Sequence, residues 1–352
     1  MKTGANNLKT YSEGGHKIMD YKSSGVDIDA ANSTKASFKD ILETSNPRVL
    51  NKVGAFASLY SMSSIHLDNP VLVTKTEEPG SKQILAFEYN LYESICFDMI
   101  NHLINDCVMT GAHPLVVQDC IVCGELQKDK VKRMVVAMAD ACRQNDCLLV
   151  GGETSEQPGV LPAGSYILSS SVVGIVDKKS IIDGSKIKEG DDVIAVSSSG
   201  PHTNGYSLIR AILKEHPELR NDPLFMGDIL TPHRAYYPIL RGIFTNVSGL
   251  AHITGGGLKE NLDRILPSDL SALIDLNKIS ILDVFRKIKK VGGVSDEEML
   301  RIFNLGVGIT VIVRPDISDK IISHLSGYCE AYKIGKIVKG SKTVEVEGNL
   351  NW

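Results

Sequence analysis

The chain has 352 residues, 43% of them hydrophobic and 23% charged, an ordinary make-up for a soluble protein long enough to build two domains. Its 38 basic and 42 acidic side chains leave a formal charge of −4. That supplies neither the basic field that holds nucleic acid nor a polybasic membrane patch, and no apolar run approaches the length of a membrane span. Residues 1–20, MKTGANNLKTYSEGGHKIMD, are polar and Gly-rich without an apolar centre, so they read as a flexible arm and not a signal peptide. The seven cysteines lie in apolar runs and suit reduced thiols in a cytoplasmic protein. Cys120 and Cys123 form the one tight pair; with no second pair or histidines at zinc spacing, they read as small apolar residues of a strand.

From 70 to 176 the pattern predicts strand, helix, strand, helix, strand. Cys96, Met99, Ile100, Leu103, Ile104, Cys107 and Val108 fall at helical spacing, with Gly111 placed to end that helix. PLVVQDCIVC reads as a strand. Val131, Met134, Val135, Met138 and Cys142 mark one face of the next helix, and CLLVGG and SYILSSSVVGIVD are strands. The polar stretch KKSIIDGSKIKEGDD, punctuated by Gly184 and Gly190, reads as a linker. Beyond it come a strand in DVIAVSSSG, a helix from near Asn204, strands at 270–275, 307–313 and 334–347, and a helix at about 316–327. Strands mixed with helices without a strict βαβ rhythm predict an α+β protein. Its expected parts are the arm at 1–20, domains at 21–176 and 177–345, and a tail at 346–352.

Four stretches are richer in small and polar residues than folding requires. Asp98, His102 and Asn105 form a polar stripe on an otherwise apolar helix, with Asp106 beside it. A solvent-facing surface or a buried, partnered set fits that pattern equally. In VGGETSEQPG, Gly151 and Gly152 follow an apolar strand and let a ligand approach the backbone; Glu153 and Glu156 then suit Mg²⁺ or a plain polar loop. SSSGPHTNGYSL runs from a strand into a helix, where backbone N–H groups with Ser198, Ser199, Thr203 and Asn204 could hold a phosphate. His202 sits in that turn, where its ring could reach a substrate. AHITGGGLKENL is a second anion-shaped turn, matching neither the P-loop nor the dinucleotide fingerprint.

In this order the stretches resemble the phosphoribosylformylglycinamidine cyclo-ligase (aminoimidazole ribonucleotide synthetase) family. YKSSGVDIDAAN at 21–32, VGAFASLY at 53–60, IND…GAHPL, LVGGETSEQPG, SSSGPHTNGYSL, HITGGGLKENL and FNLGVGI at 303–309 all follow the family's sequence. The likeness runs from about Tyr21 to about Val344. It implies a homodimer that pairs its N-terminal sheets, each subunit adding a C-terminal α/β domain. It also implies ATP, Mg²⁺ and formylglycinamidine ribonucleotide in a cleft between domains. The γ-phosphoryl group passes to the formamide oxygen, and an amidine nitrogen then closes the imidazole ring and expels phosphate.

The resemblance assigns roles residue by residue. His202, Asp106 and Lys82 are the implied catalytic residues, and Glu77, Asp106 and Glu153 the implied metal ligands. Nucleotide or substrate contacts fall on Lys22, Asp27, Thr76, Gly80, Ser81, Lys82, Asp98, Asn105, Gly151 and Gly152. They continue at Ser199, Gly200, Thr203, Asn204, Gly205, Thr254, Gly255 and Gly256. The family's Thr-Asp-Gly-Val-Gly-Thr-Lys loop reads Thr76-Glu77-Glu78-Pro79-Gly80-Ser81-Lys82 here. Along an extended chain Glu77 and Glu78 point to opposite faces, so Glu77 keeps the family's charge one methylene longer. Pro79 removes a backbone donor. A second departure is Asn101 and His102, where the family has small or apolar residues. The rival reading is a paralogue that binds nucleotide without cyclising, because of the altered loop. Selenophosphate synthetase, thiamine-monophosphate kinase and the hydrogenase-maturation dehydratase share the wider superfamily but not these motifs.

Overall fold

The computed structural model describes residues 32, 33, 38, 41, 42, 46–51 and 54–352. The arm at 1–20, Lys22 and Asp27 lie outside the described residues.

Alternation in PVLVTKTE makes strand β1 (Pro70–Glu77), with Val71, Val73, Lys75 and Glu77 turned inward and Leu72, Thr74 and Thr76 outward. Two helices follow, α1 (Lys82–Glu88) and α2 (Tyr92–Val108), then β2 (His113–Cys123), α3 (Lys128–Gln144), β3 (Leu148–Glu156) and β4 (Tyr166–Asp177). The strands form one sheet in the order β1-β4-β2-β3, with β3 parallel to β2 and the other pairs antiparallel. All seven apolar positions expected on α2 and all five on α3 are buried. Removing each such side chain from water contributes roughly 1.5–3 kcal/mol, which pins both helices to the sheet.

Gly151 and Gly152, at the end of the expected strand CLLVGG, and the following ETSE, for which a polar loop is one expectation, all lie within β3. Its partner β2 is 11 residues long and supplies hydrogen-bonding groups past the apolar run, so the ladder continues through Glu156. A bulge at Val150 offsets the register between Val117 and Gln118. Gly152 fits because Oδ1 of Asp119 stands 2.3 Å from where its Cβ would lie.

The second half is built on β5 (Asp192–Ser197), α4 (Tyr206–Glu215), α5 (Pro223–Leu230), α6 (Tyr237–Leu240), β6 (Gly249–His252) and α7 (Gly257–Asp263). It continues with β7 (Leu270–Asp275), α8 (Asp283–Gly292), α9 (Asp296–Ile302), β8 (Val307–Val313), α10 (Ser318–Ser326), β9 (Ala331–Lys339) and β10 (Val344–Glu347). Six strands order as β10-β7-β9-β5-β8-β6. Every residue of β5 and β8 is buried, as befits central strands covered on both faces. One face (Ile194, Val196, Ile309, Val311) shares a continuous apolar cluster with α2 and α3. The other (Val193, Ala195, Ile312) packs with residues of α4, α5 and α8.

Two boundaries differ from expectation. The predicted strand 334–347 is two strands, because Gly340 to Thr343 turn the chain over Ser271, whose hydroxyl accepts from the N–H groups of Ser341 and Thr343. The expected tail at 346–352 begins inside β10. It ends with Leu350 buried and Trp352 donating its indole N–H to Asp296 at 3.0 Å.

Candidate functional site

The polar stripe of α2 is buried and fully used. Oδ1 of Asp98 accepts from the backbone N–H of His233 at 2.8 Å, and Asn101 donates to the His233 carbonyl at 2.7 Å. Asn105 donates to the Arg234 carbonyl at 2.8 Å and accepts from the N–H of Tyr236 at 2.9 Å. Four side-chain bonds thus replace the secondary structure that the segment Thr231–Tyr236 lacks, which is how buried backbone groups are satisfied. The Lys82 ammonium lies 2.7 Å from Oδ2 of Asp98 and donates to the Thr231 carbonyl at 2.7 Å; both side chains of that ion pair are 0% exposed. Burial lifts the Asp98 carboxyl to about 6 against the pull of Lys82, and burial lowers the Lys82 ammonium.

Two turns further along α2 the surroundings open. The Lys75 ammonium lies 3.1 Å from Oε2 of Glu77 and 3.1 Å from Oδ2 of Asp106, with side-chain exposures of 38%, 20% and 25%. Nδ1 of His252 is 2.7 Å from Oδ1 of Asp106, and Nε2 of His102 is 3.8 Å from Glu77 and 3.9 Å from Asp106. Burial alone would raise the Asp106 carboxyl, but the hydrogen bonds to His252 and Lys75 and the charges of His252 and His102 hold it well below the usual carboxylate range. Burial and the neighbouring His252 bring the His102 imidazole down to about 4, so it is neutral at physiological pH.

Behind this cluster lies a column of rings. His202 stacks on His233 with centroids 3.8 Å apart, and Nε2 of His233 meets Nε2 of His252 at 2.9 Å. His202 is fully enclosed, has φ of +59°, and accepts the N–H of Ser199 at 3.2 Å. Its ring, expected to reach a substrate from the turn, stands inside the domain junction instead. Burial first, and then the neighbouring cations and imidazoles, keep both His202 and His233 neutral.

The turn SSSGPHTNG is braced mainly by protein contacts. Ser199 Oγ donates to the Pro232 carbonyl at 2.7 Å, Thr203 Oγ1 pairs with Nδ1 of His102 at 3.0 Å, and Asn304 donates to the Gly200 carbonyl at 3.0 Å. Gly205 begins α4 with φ of +77°, and a Cβ there would strike the Phe303 ring at 2.1 Å. Asn204 and Gly205 line a cavity of about 430 Å³ together with Gly255, Gly256 and Arg301, whereas Thr254 bonds to Asn261. Thr76 bonds Ser171 at 2.8 Å. Gly80 and Ser81 lead into α1, and a Cβ on Gly80 would come within 3.7 Å of the Thr203 carbonyl. The loop that follows Glu77 therefore rests on the second domain.

Gly151, Gly152 and Glu153 lie elsewhere. They rim a cavity of about 640 Å³ with Ser58 and Asp119. Glu77 pairs with Ser170, Ser170 with Asp119, and Asp119 with Gly152. Glu77 and Glu153 thus stand at opposite edges of the sheet, three inter-strand steps or roughly 14 Å apart. One ion cannot be held by both within a single chain, so Glu153 leaves the expected set of Glu77, Asp106 and Glu153.

Compared with known proteins, the chain matches the family described as AIR synthase related protein, over residues 64–176 for its N-terminal domain and 188–347 for its C-terminal domain. Relatives named phosphoribosylformylglycinamidine cyclo-ligase from Trichlorobacter lovleyi and Bacillus cytotoxicus are each 39% identical to it. The alignments cover 92% and 91% of this chain and 95% and 96% of those proteins. The chain belongs to the phosphoribosylformylglycinamidine cyclo-ligase family. Two solved structures share the fold of this family member: HypE of E. coli (TM-score 0.66, 17% identity, 90% of this chain and 94% of that one) and thiamine-monophosphate kinase of Stenotrophomonas maltophilia (0.64, 16%, 92% and 96%).

Several residues of this cyclo-ligase-family site escaped the sequence reading. Lys75 shares the inward face of β1 with Glu77, which strand alternation could have shown. Asp119 sits between Val117 and Ile121 on the buried face of β2, a carboxylate in an apolar row. It lies alongside Glu153, and burial raises its carboxyl to about 7. His252 stood in a quoted motif without a role. His233 carried no local signal, because its position depends on the clamp made by α2.

Proposed function

We propose that the protein closes formylglycinamidine ribonucleotide to aminoimidazole ribonucleotide at the expense of ATP, releasing ADP and phosphate. The observation that carries this reading is the half-open Lys75–Glu77–Asp106 cluster at the domain junction, in a chain 39% identical to named cyclo-ligases over nearly its whole length. An amide oxygen is a poor leaving group until phosphorylated, and transfer of the phosphoryl group depends mainly on positioning and charge neutralisation.

A divalent cation fits the cluster, since two carboxylates already converge on the Lys75 ammonium. Glu77 and Asp106 would hold Mg²⁺, which when bound neutralises phosphate oxygens and orients the γ-phosphoryl group. Lys75 supplies a further mobile positive charge. His252 fixes the orientation of Asp106 by binding its second oxygen. The clamp from α2 to Thr231–Tyr236 holds both halves of the cleft in register. The 640 Å³ cavity is within the size range of small-molecule sites and keeps Gly151 and Gly152 as proposed nucleotide contacts. Asn204, Gly205, Gly255 and Gly256 with Arg301 remain proposed anion contacts.

We also propose a homodimer. Leu72 and Ile167, 60% and 50% exposed, lie on the outer face of the N-terminal sheet, and β1 is an edge strand among the described residues. A second copy covering that face would remove both liabilities; sedimentation as a monomer at micromolar concentration would exclude it. The activity itself is tested by supplying ATP, Mg²⁺ and formylglycinamidine ribonucleotide. ADP together with the ring product is expected. Tight ATP binding without ring product would favour the binding-only paralogue.

A further inference from the structure

We propose that His102, Asp106 and His252 form a transition-metal site, so that the ion beside the reacting phosphates is held partly by nitrogen. This rests on the reading above that a divalent cation works at the Glu77–Asp106 cluster, and it specifies which ion the chain favours there. One donor atom from each of the three residues lies within 4.8 Å of the others. Nδ1 of His252 and Nε2 of His102 approach different oxygens of Asp106, at 2.7 and 3.9 Å, and Oε2 of Glu77 adds a further donor 3.8 Å from His102. Mg²⁺ takes oxygen ligands in near-ideal octahedra, whereas imidazole suits Zn²⁺ and its neighbours in the first transition row. Two imidazoles and a carboxylate make a donor set of the second kind.

The far nitrogen of each imidazole is already tied. Nδ1 of His102 meets Oγ1 of Thr203 at 3.0 Å, and Nε2 of His252 meets Nε2 of His233 at 2.9 Å. Outer partners of this sort fix tautomer and ring orientation at metal sites. The position an ion would take is marked by the Lys75 ammonium, 3.1 Å from both carboxylates and 38% exposed on a flexible stem. An ion entering there would displace the ammonium, which can swing outward on that stem. A second group, His202, His233 and His252, also has donors within 4.8 Å. It suits an ion less: the rings of His202 and His233 lie face to face at 3.8 Å, so their lone pairs do not converge. No carboxylate in that group offsets the charge of a buried ion.

The test is calorimetric titration of the full chain with Zn²⁺ and separately with Mg²⁺, together with the visible d–d absorption of bound Co²⁺. Zn²⁺ is expected to bind at one equivalent, and His102→Met to weaken it about 100-fold and alter the Co²⁺ spectrum, while Mg²⁺ binding changes far less. His252→Gln is expected to give the same loss, and thermal melting checks that both variants are folded. Unchanged Zn²⁺ affinity in folded His102→Met overturns the proposal. So does retention there with loss in His233→Asn, which would assign the ion to the stacked group. Cyclisation with Mg²⁺ alone is followed in parallel. If it proceeds without a His102-dependent Zn²⁺ site, the inference fails and the function stands; a His102-dependent site without cyclisation gives the reverse.

Discussion

Asp98 and Asp106 stand on the same helix two turns apart, about 12 Å along its axis, and each meets a lysine from the β1–α1 segment. Their surroundings separate them. The Asp98–Lys82 pair is sealed, and its remaining hydrogen-bonding capacity goes to the backbone of Thr231 and His233. The Asp106–Lys75 pair is partly exposed, 25% and 38%, and leaves a second carboxylate and two imidazoles within reach. Identical chemistry thus gives a structural clamp where water is excluded and a ligand-ready cluster where a lysine can move aside. Lys82, which the family resemblance would make catalytic, falls on the structural side of that divide.

The strongest way to break this comparison is Lys82→Met. Removing one partner of a sealed pair leaves a buried charge without compensation and is expected to cost about 3–5 kcal/mol of stability. Denaturant unfolding measures it. Wild-type stability with turnover abolished would instead make Lys82 a catalytic group. Next in size is Asp106→Asn, for which turnover should fall about 100-fold, since one interaction that stabilises developing charge is typically worth 10²–10³. The melting temperature should move little, because the side chain is not sealed. Glu77→Gln is expected to lose activity in the same sense and to recover part of it as Mg²⁺ rises. A steady-state titration of Mg²⁺ against rate checks this.

Asp119 sharpens the comparison from a third position, because it is buried with no cation beside it among the described residues. Its carboxyl is raised from the ordinary 3.8 to about 7, by burial first and then by Glu153. The folded state therefore holds the proton more tightly than the unfolded chain. The associated stability is fully present below about pH 4 and is lost as pH rises through 7. Asp119→Asn should flatten that dependence, so melting curves at pH 5.5 and 8 should differ by less in the variant than in the wild type. Equal pH dependence would show that Asp119 is not held in the protonated form. The smallest effect is expected for Glu78→Gly: Glu78 is exposed at the outward step of the β1 alternation, so its turnover should be kept or slightly raised.

Much of the architecture was legible in the sequence. Helix spacing on α2 and α3 named the buried residues correctly, since a 3.6-residue period with apolar side chains admits one docking face. Alternation through Glu77 and Glu78 separates an inward from an outward carboxylate, as the structure also does. What stayed hidden depends on contacts distant in sequence. The stripe Asp98, His102 and Asn105 could not declare whether it met water or buried partners, because its hydrogen-bond partners lie 101 to 135 residues away. Glu153 was grouped with Glu77 by motif, yet strand order sets them at opposite edges. The polar residues after the β3 glycines suit a loop as well as a strand, and it is the length of β2 opposite them that makes a strand.

The most direct test of the cyclisation account follows the formamide oxygen. Substrate carrying ¹⁸O at that position is turned over with ATP and Mg²⁺, and the released phosphate is analysed by mass spectrometry. If the γ-phosphoryl group passes to that oxygen before the ring closes, each phosphate released with product carries one ¹⁸O, and Asp106→Asn slows label and ring formation together. Unlabelled phosphate, or ADP formed without ring product, would contradict the account.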